Sequence, residues 1–210
     1  MSRRAWYDEC ASTLGGNGVD LVDDYLARAA AVISRIDAAS IRRLADAIMR
    51  TWTSGHQVLL CGNGGSAANA EHFVNDLMYG VSPGRGDGVR AIALSSNPAV
   101  ITCLGNDVGY DQIFSYQVAV LGLPGDLLLA LSGSGNSPNI LAALEAAHQR
   151  GLSTAAVVGF SGGRARTMAD VVVHIPIDDM QISEDCMQLV GHVVTRRLAV
   201  EHKAGLRVAS

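Results

Sequence analysis

The chain has 210 residues, 49% hydrophobic and 17% charged, with a formal net charge of −4. That is enough apolar material for the core of one domain, and it excludes global disorder. The acidic balance excludes a general nucleic-acid surface, and no apolar run reaches the ~18 residues of a membrane helix. Lys203 is the sole lysine, so neither a P-loop lysine nor a core Schiff base is available. The opening Met1-Ser2-Arg3-Arg4-Ala5-Trp6 has no apolar stretch after its arginines, and no signal peptide is expected. Cys10, Cys61, Cys103 and Cys186 are scattered without a C-x-x-C pair, and reduced cytoplasmic thiols are expected.

Apolar residues at three-to-four spacing predict helices over 19–33 and 41–52, with Ser40 as the cap of the second. Short apolar runs then predict five strands, over 57–61, 89–94, 126–131, 153–160 and 171–177. Helical patterns over 67–78, 138–149, 164–168 and 182–201 lie between or after them, and 82–88 reads as a loop. Continuous apolar strands alternating with helices imply an α/β fold with a parallel sheet covered on both faces. Ligands of such sheets bind at the C-terminal strand ends.

Two of those ends carry unusual loops. Gly62-Asn63-Gly64-Gly65-Ser66 joins the first strand to a helix, where glycines admit close approach and free N–H groups favour an anion. Ser132-Gly133-Ser134-Gly135-Asn136-Ser137 repeats the design, with three hydroxyls able to donate to a phosphate. Gly62, Gly64 and Ala67 also fit G-x-G-x-x-A, but no acidic residue ends the second strand to hold a ribose, so a dinucleotide site is set aside.

With these loops, Cys61 to Ser66 followed by Ala70-Glu71-His72-Phe73, and then Gly105-Asn106-Asp107, resemble the SIS (sugar isomerase) domain. Within it the likeness is to the phosphoheptose isomerases, which interconvert sedoheptulose 7-phosphate and an aldoheptose 7-phosphate. The resemblance spans nearly the whole chain. It implies one three-layer α/β/α SIS domain over 1–210 with a five-stranded parallel sheet, its first 55 residues a helical segment packing on the domain and a subunit interface. It also implies a cytoplasmic homotetramer acting on a phosphosugar, with no nucleic-acid or membrane partner.

The resemblance further implies a divalent metal, with zinc expected, between the helix after the first loop and the last helix. Its ligands by position are His72, Asp76, Glu184 and His192. Substrate contacts carried over are Asn63, Gly64, Gly65, Ser66, Ser96, Asn97, Ser132, Gly133, Ser134, Ser137 and Glu184. The residue types agree in part: His72 and Asp76 share a helix face, Glu184 and His192 roughly share one, and all four can bind zinc. Asp76, Glu184 and His192 are the expected acid–base residues, and whether His192 acts as base or ligand stays open.

Several positions depart from the family. Asp76 replaces a glutamate, Glu184 a glutamine, Asn97 an aspartate, Gly80 an arginine and Gln181 an aspartate. Hydrogen-bonding or metal-binding capacity survives everywhere except Gly80. The expected activity is therefore aldose–ketose isomerisation through an enediol. Isomerisation of a different phosphosugar, or a non-catalytic adaptor or sensor, are the alternatives.

Overall fold

A computed structural model describes residues 20–209, with side chains through residue 205. Val19, Cys10 and the rest of the first 19 residues lie outside the described part. The strands are β1 (Gln57–Cys61), β2 (Arg90–Ala93), β3 (Leu127–Ser132), β4 (Ser153–Val158) and β5 (Val171–His174), in the order β2-β1-β3-β4-β5 and all parallel. β3 is buried at every residue, which is why it reads as an unbroken apolar run. The edge strand β2 alternates exposed and buried residues.

The strand period of two divides the core. Val58, Leu60, Leu127, Leu129 and Val157 face one side. There they meet α1 (Leu21–Ile33), α2 (Ala38–Thr53), α3 (Gly65–Asn75) and α8 (Met180–Ala209). Leu59, Cys61, Leu128, Ala130 and Val158 face the other side. They meet α4 (Pro98–Asp107), α5 (Ser115–Leu121), α6 (Pro138–Gln149) and α7 (Ala165–Met168). Each fully buried leucine contributes about 1.5–3 kcal/mol of transfer free energy. Among the described residues no helix is long and apolar enough to cross a membrane.

Four expectations need correction. Asp37, not Ser40, caps α2: its carboxylate accepts from Ala39 N at 2.9 Å and Ser40 N at 3.1 Å, while Ser40 lies buried in the first turn. A carboxylate offers two acceptor oxygens to the orphan N–H groups, so it wins the cap. The stretch between β2 and β3 holds two helices that the sequence reading left out, α4 and α5. α4 begins at Pro98, with Asn97 as its cap. Asp126 does not belong to β3. It is buried at the sheet's N-terminal edge and accepts from Gln57 N (3.0 Å), Gln57 Nε2 (3.0 Å) and Leu123 N (2.9 Å). Finally β2, β4 and β5 stop short of the apolar runs at 89–94, 153–160 and 171–177.

Candidate active site

The two loops emerge side by side, because β1 and β3 are neighbours. Gly64 takes φ 57° and ψ −123°, a region open to glycine. A Cβ at Gly62 would meet the Ser66 carbonyl, so the first loop closes tightly on itself. Asn63 and Asn139 then tie the loops together, each amide donating to the other at 2.9 Å. The Tyr110 hydroxyl adds a third bond to Asn63 Oδ1 at 3.0 Å. Asn139 and Tyr110 were absent from the sequence reading. Asn139 lies two residues beyond the motif, in the first turn of α6, and Tyr110 belongs to a helical stretch that the apolar pattern hid.

The serine loop is preshaped from within. Ser132 Oγ accepts from Gly135 N at 3.1 Å, and Ser134 Oγ accepts from Asn136 N at 3.2 Å. Asn136 Oδ1 accepts from Arg164 N at 2.9 Å, anchoring the loop to the turn before α7. Ser137 caps α6 by position but makes no side-chain cap bond, and with Pro138 lacking an N–H and Ile140 N bonded to Ser137 O, Asn139 supplies the N–H left for an anion in that first turn. A Cβ at Gly133 would overlap the Met180 thioether, so the serine loop runs close against the start of α8.

Ser96 and Asn97 follow β2 and are exposed. Ser96 Oγ donates to Ala93 O at 2.7 Å. Asn97 Oδ1 accepts from Ala99 N at 3.1 Å and Val100 N at 3.2 Å, so its oxygen serves the cap of α4.

The last helix carries chemistry along its length. Its first turns place Glu184 against Gly65, where a Cβ would overlap the carboxylate. Burial pushes the Glu184 carboxyl up, outweighing the lowering effect of the Ser66 N–H and hydroxyl. Ser66 itself is buried.

Further along, His192 meets α3. His72 Nε2 and His192 Nε2 are 3.0 Å apart, and Asp76 Oδ2 lies 3.6 Å from the first and 3.8 Å from the second. α3 becomes a π-helical turn over Asp76–Gly80, with Val81 N bonding to Asp76 O at 3.0 Å. Such turns frequently mark functional sites. Gly80 stands beside Asp76 and Thr195, where a Cβ would lie 3.4 Å from Thr195 Cγ2.

These three residues fit a divalent cation. Zinc at about 2.0–2.1 Å from tetrahedral donors would separate neighbouring donors by about 3.3 Å. The observed separations of 3.0, 3.6 and 3.8 Å bracket that edge. Two imidazole nitrogens and a carboxylate oxygen are also the donor types zinc takes. Of the four expected ligands the structure gathers His72, Asp76 and His192. It places Glu184 elsewhere, on the first loop. Gln188 stands where sequence reading placed nothing, with its amide 3.0 Å from His192 Nε2.

The SIS domain model matches residues 24–159. A phosphoheptose isomerase of Chlorobaculum parvum is 43% identical over 173 residues, covering 81% of this chain and 82% of its own. The structure of a Francisella tularensis phosphoheptose isomerase superposes with a TM-score of 0.80 at 31% identity, covering 89% of this chain and 100% of that one. The Neisseria gonorrhoeae phosphoheptose isomerase gives 0.79 at 31% identity, covering 84% and 96%. With its loops, its sheet order and these relatives in agreement, the chain belongs to the SIS domain family and, within it, to the phosphoheptose isomerases.

Proposed function

We infer that the chain isomerises sedoheptulose 7-phosphate to a D-glycero-heptose 7-phosphate through an enediol. The observation that carries this reading is the course of α8. Its first turns lie against both loops, at Gly133 and Gly65, and two turns later it delivers His192 to His72 and Asp76. Eight residues of helix span roughly 12 Å. One helix therefore links a phosphate cradle to a cluster able to act on the sugar's carbonyl end.

The phosphate is held by Ser132, Ser134, Ser137 and the backbone of Gly133, and its binding energy positions the reacting carbons. Asn63, Gly64, Gly65, Ser96 and Asn97 line the remainder of the substrate groove, with Ser66 buried behind the first loop. His72, Asp76 and His192 hold a divalent cation, which we take to be zinc. When bound, the cation supplies Lewis acidity toward the carbonyl oxygen and stabilises negative charge there. His192 is thus a ligand rather than a free base.

Glu184, standing apart from that cluster, moves the proton. Its carboxylate takes a proton from C1 of the ketose and returns one to C2, while the O1 proton passes to O2. Asp76 is held by the cation as His192 is, so of the three expected acid–base residues Glu184 is the one left free to move the proton. In D2O the aldose should carry deuterium at C2 wherever the Glu184 proton exchanges with solvent before its return; full turnover by Glu184→Gln would contradict the route.

The same reading makes the chain one SIS domain acting in the cytoplasm as a homotetramer. In support, Leu21, Val22, Leu26 and Ile33 stand exposed along α1. Light scattering on the purified chain tests this, with four copies expected and a monomer contradicting it.

A further inference from the structure

The family's glutamine ligand falls at Glu184, yet the Glu184 carboxylate lies on Gly65 rather than with the histidines. Helix geometry explains the departure. Eight residues turn an α-helix by roughly 80° beyond two full turns, whereas four residues turn it by only about 40° beyond one. Gln188 therefore faces the same way as His192 more closely than Glu184 does, and its amide reaches to 3.0 Å from His192 Nε2. A half-turn of the amide exchanges its nitrogen for its oxygen at that spot. The oxygen is the end that donates to a cation.

We propose that Gln188 is the fourth protein donor of this chain's metal site, one helical turn from the position the family uses. The proposal rests on reading His72, Asp76 and His192 as cation ligands. Two consequences follow. With a neutral amide instead of a second carboxylate, Asp76 is the only negative ligand, so a divalent ion keeps a net positive charge toward the substrate. Glu184, freed from ligation, remains at the first loop.

Cobalt(II) titration of the chelator-stripped full chain tests this, read by visible d–d absorption and by calorimetry. Gln188→Ala should weaken cobalt binding by about 10–100-fold, the loss seen when the groups that support a site are removed, and should alter the absorption bands. Gln188→Glu should bind at least as tightly as the native chain, showing that position 188 reaches the ion. Glu184→Gln should leave the affinity within about threefold, well inside the loss expected for a ligand.

The reverse pattern, with affinity lost at 184 and kept in both 188 variants, would overturn the assignment while leaving the three-residue site standing. Failure of the native chain to bind cobalt or zinc, or binding that survives His72→Ala, would overturn the reading of the cluster itself.

Discussion

Asn63 and Asn139 exchange two hydrogen bonds of 2.9 Å, one in each direction, across the gap between the glycine loop and the serine loop. The pair fixes the glycine loop relative to the start of α6, which follows the serine loop directly. Asn139 is buried at 2% exposure. Replacing it by alanine strands the Asn63 amide and should cost about 1–3 kcal/mol of stability. The KM for the sugar phosphate should rise more than kcat falls. A denaturant melt and steady-state kinetics check both, and an unchanged KM would show that the loops hold their spacing without the pair.

Gly65 offers a change of sign. In the native chain a Cβ there overlaps the Glu184 carboxylate, the movable end of a long side chain, so Gly65→Ala should displace that carboxylate at a small cost in stability. Once Glu184 is also replaced by alanine the obstruction is gone. Alanine in a helix is better than glycine by about 1 kcal/mol, so the second substitution should then be neutral or stabilising. Melting temperatures of the four-member cycle read the coupling directly.

Acid stability should depend on Asp126. Burial works to raise its pKa, but the Gln57 and Leu123 donors outweigh it and hold the carboxyl below the ordinary range. A depressed folded pKa gives stability that is complete above the unfolded value, about 3.9, and is lost as pH falls through the folded value. Asp126→Asn should cost about 1.5–3 kcal/mol at neutral pH. It should also flatten the fall in stability below pH ~4. Urea midpoints measured across that window settle the sign.

Metal should stabilise the fold through His72, Asp76 and His192. Zinc at about a hundredfold excess over its Kd contributes about 2.7 kcal/mol. For a chain of this size that is a rise in Tm of roughly 5–10 °C. Chelation should reverse it, and His192→Ala should abolish it while leaving the apo Tm close to native. A zinc-induced rise that persists in His192→Ala would place the ion elsewhere.

The sheet was legible because β1 and β3 are covered on both faces, so Val58-Leu59-Leu60 and Leu127-Leu128-Leu129 read as continuous apolar runs. The loops were legible because Gly and Ser concentrate at the two adjacent strand ends. α4 was not: Val100, Ile101 and Thr102 are β-branched and Gly105 interrupts it, so neither propensity nor a clean apolar stripe announces a helix. The π turn at Asp76 was illegible as well, since it depends on a bond across five residues rather than on a side-chain pattern. The ligand at 188 was missed for a different reason. Gln188 turns only about 40° from His192 along the helix against about 80° for Glu184, but the resemblance drew attention to position 184.

Isomerisation is tested by NMR of sedoheptulose 7-phosphate with the purified chain, with and without added zinc. The anomeric proton of an aldoheptose 7-phosphate should appear, faster with zinc and slowed by Glu184→Gln. A sugar phosphate left unchanged in both arms, by a chain that circular dichroism shows to be folded, would contradict it.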